Sequence, residues 1–238
     1  MTGGHAITPE TVSLRILAGG GMAGVWADLK PRFEQTSGHR LDLFFATTPN
    51  LIQEATSGRP FDAGIVPADV MQDPAARARF APGATMEVAR AGIGVAVRSG
   101  APKPDIGTCE AFKTTLLKAS SVATVLESAT GYAIARVFER LGITEQMKSK
   151  TKAQPGPAQV VAIVASGEVE LALFLVNVLT TPGLDVVGPF PPELQEDVVF
   201  AAALSADTKK ASAAQALLAY LESPAGVAII RSKGMTPG

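Results

Sequence analysis

The chain has 238 residues, 47% of them apolar and 18% charged, enough apolar surface for one large core or two smaller ones, and two lobes are expected. Its 23 glycines and 17 prolines stay below the combined share, roughly 25–30%, at which low complexity becomes the default, so disorder does not organise this sequence. Lys and Arg number 21 against 22 Asp and Glu, a formal charge of −1, which leaves no basic field for a nucleic-acid backbone and no acidic tail.

Cys109 is the only cysteine, so an intrachain disulfide and a thiolate metal cluster are excluded, and the residue is expected to be a buried small hydrophobe. Met1 to Pro9 has neither a positive segment nor an apolar one. The expected location is therefore periplasmic if a signal peptide has been removed, and cytoplasmic otherwise. Apolar runs such as Val160 to Ala165 and Leu171 to Val176 are far shorter than the ~20 residues of a membrane span, so membrane insertion is not expected. A monomer is expected.

Leu14 to Ala18 is a short apolar run that ends in Gly19-Gly20-Gly21, and Val25, Trp26, Leu29 and Phe33 follow at helical spacing: strand, glycine turn, helix. Pro31 removes a donor inside that helix and should loosen it near Ala27, and Gly38 suits its C-cap. A second strand spans Leu41 to Phe45, followed by a helix from Leu51 to Thr56 that Gly58 ends. Asp62 to Val66 and Ile93 to Val97 read as a third and a fourth strand, mostly apolar as in a sheet covered on both faces. This β-then-α rhythm implies βαβ units and parallel pairing.

After the proline-rich stretch Ser99 to Pro104 the rhythm restarts. A helix from Cys109 to Lys118 is capped by Thr108, then come a strand Val122 to Leu126, a loop Ser128 to Gly131 and a helix Tyr132 to Leu141 closed by Gly142. The turn Gln154 to Pro157, a helix Ala158 to Ser166 and a strand Glu170 to Leu175 complete a second lobe. Gly188 to Pro192 interrupts the pattern, and the chain resumes with a strand Val198 to Leu204 and helices Ala206 to Tyr220 and Pro224 to Lys233, the last capped by Ser223.

Gly19, Gly21 and Gly24 spell G-x-G-x-x-G after a strand, with Asp42 about twenty residues on, as in a dinucleotide-binding turn. In that turn the acid ends its strand, whereas Leu43, Phe44 and Phe45 still follow Asp42, so the dinucleotide reading is set aside. Either these glycines only make the turn, or they let backbone N–H groups approach an anion. Thr47, Thr48 and Asn50 lie beyond the carboxyl end of the second strand, where open α/β sheets bind ligands, and they serve equally well as helix caps. Ser128, Thr130 and Gly131 repeat the arrangement in the second half, and one anion-friendly turn per lobe points to a shared cleft.

His5 and His39 lie in the N-terminal extension and beside a helix end, so no metal is expected. No nucleophile elbow or P-loop is present. Arg90 is either a planar fork for a carboxylate or a solvated residue at the lobe boundary.

Several stretches, in order, carry a resemblance to a known family: Leu14 to Ala18 with its small-residue turn, Lys30 to Glu34, Phe61 to Ile65, Gly92 to Arg98, Ala165 to Glu168 and Tyr220 to Gly226. From Val12 onward the chain resembles the molybdate-binding group of type II periplasmic substrate-binding proteins of ABC transporters. The resemblance implies an α/β, two-lobe fold with mixed sheets, helices on both faces and a ligand cleft between lobe 1 (12–90 plus 193–238) and lobe 2 (91–192).

Oxyanion-binding members place a serine in the first turn, another after the second strand and a tyrosine late in the second lobe. Here those positions hold Gly20 or Gly21, Thr47 or Thr48, and Leu175, so molybdate and tungstate are disfavoured; the expected ligand is a small anion, an organic carboxylate or an oxyanion, and a carboxylate would suit the backbone N–H groups with threonine and asparagine. Close relatives often have a serine and a glutamate after the last strand of the second lobe, where Val176-Asn177-Val178 leaves only Asn177 polar.

The candidate ligand-binding set is Gly20, Gly21, Met22, Thr47, Thr48, Asn50, Arg90, Ser128, Thr130, Gly131, Tyr132, Pro157 and Asn177, with no cofactor and no metal. The implied partners are a small anionic ligand and an ABC permease. The resemblance extends to carboxylate isomerases of the aconitate isomerase kind. On that alternative Glu127 is the candidate base and Tyr132 a candidate donor for proton transfer alpha to a carboxylate. The effector half of a transcription regulator shares the fold but needs a DNA-binding segment, for which the residues before Leu14 are too few.

Overall fold

Strand β1 (Ser13–Gly19) buries Leu14, Ile16 and Ala18 on one face and Leu17 on the other, so it needs cover on both sides. In the computed structural model, which describes residues 11–83 and 85–238, β1 runs parallel to β2 (Arg40–Ala46) on one side and to β3 (Ala63–Pro67) on the other. Helix α1 (Ala23–Ser37) turns Val25, Trp26, Leu29 and Phe33 onto the Leu14 face and ends on left-handed Gly38, whose N–H reaches the Glu34 carbonyl at 3.0 Å. The Leu17 face is covered by α2 (Thr48–Thr56), α3 (Ala68–Gln72) and α4 (Pro74–Arg77) through Leu51, Ala55, Val70 and Ala76.

Strand β4 (Met86–Arg98) belongs to both lobes. From Met86 to Gly92 it pairs antiparallel with β9 (Asp197–Leu204), which itself lies against β3. From Ile93 onward it lies between β7 (Leu171–Leu175) and β8 (Leu184–Pro189), antiparallel to both. Strand β5 (Val122–Thr124) runs parallel to β7 and to β6 (Thr151–Ala153), and β10 (Thr236–Pro237) pairs with β4 at Arg90. The strand order is β2-β1-β3-β9-β4-β7-β5-β6. Helices α5 (Cys109–Lys118), α6 (Ala129–Leu141), α7 (Thr144–Lys150), α8 (Pro157–Ala165) and α9 (Val176–Leu179) belong to the second lobe, whereas α10 (Ala211–Glu222) and α11 (Pro224–Ser232) pack beside α1 in the first. Among the described residues no single helix is long and apolar enough to cross a membrane.

The fold is α/β with two lobes and mixed sheets, as the resemblance implies; the parallel pairing read from the β-then-α rhythm is only part of it, because the pairs that β4 makes with β7, β8, β9 and β10, and β3 with β9, are antiparallel. The expected fourth strand begins seven residues earlier, at Met86, and the interruption at Gly188 is the end of β8. Residues 206–210 precede α10 instead of opening it, because Thr208 and Lys210 turn their side chains to buried Asp62, at 2.7 and 3.2 Å. Asp62 also accepts the Arg15 N–H at 2.8 Å, so a carboxylate taken out of water is fully bonded there. Cys109 is only half-buried, at the start of α5 with its sulfur 3.7 Å from a Glu193 oxygen. Partial burial and that carboxylate both raise its pKa, which suppresses the thiolate.

Residues 129–131, expected in a loop, form the first turn of α6. Ser128 Oγ donates to the Val125 carbonyl at 2.7 Å and accepts the Gly131 N–H at 3.0 Å, and Ser223 does the same with Tyr220 and Gly226 at the start of α11. In both turns a Cβ on the glycine would lie 2.2 Å from a carbonyl oxygen, of Val125 or of Tyr220. Gly131→Ala and Gly226→Ala are each expected to destabilise the protein by about 1–3 kcal/mol, read as a lower urea midpoint. An unchanged midpoint for either would contradict this packing.

Candidate functional site

Within each lobe the parallel strands send their carboxyl ends the same way, and the helices that follow start there. Four such turns border one cavity of about 480 Å³ between the lobes. The first lobe supplies Gly20 and Gly21 after β1, and Thr47, Thr48 and Asn50 after β2. The second supplies Ser128 and Ala129 after β5, and Gly156 and Pro157 after β6. Neither α2 nor α8 has a side-chain cap, so their first-turn N–H groups are left for a ligand or water. The positive ends of the α2, α6 and α8 dipoles meet at this cavity and favour a negative charge in it.

Two hydrogen bonds cross from lobe to lobe at this place. The Ala129 N–H donates to Thr48 Oγ1 at 3.2 Å, and the Asn177 amide donates to the Gly21 carbonyl at 2.9 Å. At Gly21 a Cβ would come within 2.5 Å of the Leu175 side chain and 3.1 Å of Phe200, so a glycine is what allows the turn to lie this close to the second lobe. The remaining wall is apolar: Phe44, Pro67, Phe174 and Phe200. Helix α2 runs along the cavity with Asn50, Gln53, Glu54 and Ser57 facing it, the i, i+3, i+4, i+7 spacing of one helical face. Among the described residues that line the cavity, Glu54 is the one acid and Arg59 the one base.

Of the sequence-predicted residues, the structure brings together Gly20, Gly21, Thr47, Thr48, Asn50, Ser128 and Pro157. Neither threonine hydroxyl caps α2: Thr47 makes no capping bond and Thr48 accepts from Ala129. Six others lie outside the lining. Met22 turns into the core and is fully buried, because the short 3-10 turn Gly20–Met22 rotates it away from the cavity. Arg90 is itself exposed on the first half of β4, held by both oxygens of Glu87. Thr130 is buried, and the Gly131 N–H expected for an anion is taken by Ser128. Tyr132 is 39% exposed on the outer side of α6. Asn177 stands behind the glycine turn, with its Oδ1 buried and unpartnered.

Glu127, the expected base, is exposed and outside the lining as well. Asp42 is exposed on β2, away from the glycine turn. His39 accepts the Val12 N–H at 3.5 Å and lies beside Phe33, a structural role, while His5 lies outside the described residues. Among the described residues no three His, Cys, Asp or Glu side chains are placed to hold a metal.

Sequence reasoning missed Gln53, Glu54, Ser57 and Arg59, and the Phe174 and Phe200 wall. The signal was the polar stripe 50, 53, 54, 57 on a helix whose opposite side carries Leu51 and Ala55. Thr48→Val leaves the buried Ala129 N–H without its acceptor and is expected to cost about 1–3 kcal/mol in urea unfolding. Thr48→Ser should restore most of that, and an unchanged Thr48→Val midpoint would show the cross-lobe bond to be immaterial.

Comparison with known proteins agrees with this geometry. Residues 14–236 match the model of the bacterial extracellular solute-binding protein family. An aconitate isomerase of Pseudomonas sp is 32% identical over 239 residues, covering 98% of this chain and 90% of the relative. The molybdate-binding protein ModA of Azotobacter vinelandii is 24% identical, covering 96% and 92%. A solved structure of the periplasmic molybdate-binding protein of Azotobacter vinelandii superposes with a TM-score of 0.78 at 18% identity, over 94% of this chain and 98% of that one. With the two lobes, their shared strand and the cleft between them, the chain belongs to the bacterial extracellular solute-binding protein family.

Proposed function

We propose that this protein captures a small organic carboxylate in the cavity between lobe 1 (12–90 plus 193–238) and lobe 2 (91–192), as a monomer, and presents it to an ABC permease in the periplasm. The observation that carries this reading is the convergence of the α2, α6 and α8 starts, with the Thr47 hydroxyl, on a cavity whose far wall is aromatic. A carboxylate takes the main-chain donors and its carbon skeleton takes the phenylalanine wall. A volume of about 480 Å³ suits a small organic molecule, whereas a bare tetrahedral oxyanion would leave most of it to water. The glycines at 20 and 21 and Leu175 also carry no side-chain donor for an oxygen-rich inorganic anion.

A second reading, an isomerase on the same fold, is favoured by the 32% identity to an aconitate isomerase over 98% of the chain. Its base cannot be Glu127 or Tyr132, which lie outside the cavity, and it falls to Glu54, which is ion-paired to Arg15 and Arg59 at 2.7 and 2.6 Å. Both oxygens of that carboxylate are already engaged by guanidiniums, so neither is free to reach a substrate proton. This counts against turnover.

Isothermal titration against mono-, di- and tricarboxylates, molybdate and sulfate is expected to show saturable binding of a carboxylate and none of molybdate. Thr47→Val should weaken that binding by roughly 5–150-fold, the equivalent of one lost buried donor. Molybdate binding tighter than any carboxylate would reverse the assignment. Incubation with cis- or trans-aconitate should leave the ultraviolet spectrum unchanged, and a spectrum that changes with wild-type protein but not with Glu54→Gln would establish the isomerase.

A further inference from the structure

The far end of the cavity carries a cation that the turns do not explain. Arg59 follows Gly58, which has φ +83°, so the chain doubles back after α2 and the guanidinium returns over the helix end to Glu54, at 2.6 Å. Glu54 is 4% exposed and accepts Arg15 on its other oxygen at 2.7 Å. Arg15 is fixed in turn by the Pro60 carbonyl at 3.1 Å and by the Phe44 ring, 5.6 Å from its guanidinium carbon. One buried carboxylate between two guanidiniums leaves a net positive charge, and only Arg59 of the two lines the cavity. A guanidinium has five N–H donors and the Glu54 contact engages one nitrogen, so a planar edge remains for a second carboxylate.

Thr48 and Glu54 are six residues apart on one helix, about 9 Å along its axis. The cavity therefore offers two anion-binding ends, main-chain donors and hydroxyls at the start of α2 and Arg59 beyond its end, with polar Asn50 and Gln53 between them. Resting on the carboxylate reading above, we infer that Arg59 is a specificity-determining residue that receives a second carboxylate, so that the ligand is an organic di- or tricarboxylate. Glu54 is a positioning residue for Arg59.

The test is isothermal titration of the full chain with butyrate, succinate and propane-1,2,3-tricarboxylate, for wild type, Arg59→Gln, Arg59→Lys and Thr47→Val, each checked for an unchanged thermal transition. Wild type is expected to bind succinate or the tricarboxylate at least tenfold more tightly than butyrate, a comparison that needs no variant. Arg59→Gln should lose at least tenfold on the better polycarboxylate, and Arg59→Lys should recover part of the loss. Wild type binding butyrate as tightly as the polycarboxylates overturns the inference. So does Arg59→Gln binding them like wild type while Thr47→Val weakens them, and in that case the carboxylate reading survives. No carboxylate bound by wild type removes both.

Discussion

Main-chain N–H groups at a helix start need acceptors, and in this protein α2 and α8 begin at the cleft between the lobes with none supplied by their own side chains. An anion with several acceptor oxygens answers that need better than a side chain does, because it meets donors from both lobes at once. Everything else at the site follows from that demand. On that reading glycines at 20 and 21 bring the backbone close, the hydroxyl at 47 adds a donor, and aromatic walls keep the surroundings dry enough for those donors to count.

The demand can be met only if the two lobes hold their turns opposite each other, and β4 is what aligns them. One thirteen-residue strand is zipped to β9 in its first half and to β7 and β8 in its second, so the two sheets share a member and not merely a linker. The cross-lobe bonds from Ala129 and Asn177 then fix the cleft at the level of single atoms. Stability and recognition are coupled here, since Thr48 and Gly21 serve the contact between lobes and line the cavity together.

Local chemistry was legible where one residue decides the outcome. Thr108 and Ser223 cap α5 and α11, and Gly38 and Gly142 end α1 and α6 in the left-handed conformation, as their positions imply. The first half of β4 escaped notice because Glu87 and Arg90 interrupt its apolar pattern, although on this strand they only pair with each other. Strand β8 carries Asp185, Gly188 and Pro189 and reads as a break; its place is fixed by pairing with β4, which no local window contains.

At the site, the turns were legible because strand, small residues and helix follow one another in sequence. Arg59 and Glu54 were not, since their meaning depends on a chain reversal at Gly58 and on Arg15, thirty-nine residues before Glu54. Met22, Gly131 and Tyr132 were placed in the site by proximity in sequence, and helical geometry turns each of them away.

On the proposed reading, main-chain hydrogens from both lobes bind one negatively charged guest. Backbone amide spectra recorded by nuclear magnetic resonance during titration with propane-1,2,3-tricarboxylate test it most directly. Saturable shifts of the Gly20, Gly21 and Asn50 amides in one lobe and the Ala129 and Gly156 amides in the other are expected together, with a common midpoint. Shifts confined to one lobe, or to amides away from these turns, would contradict it.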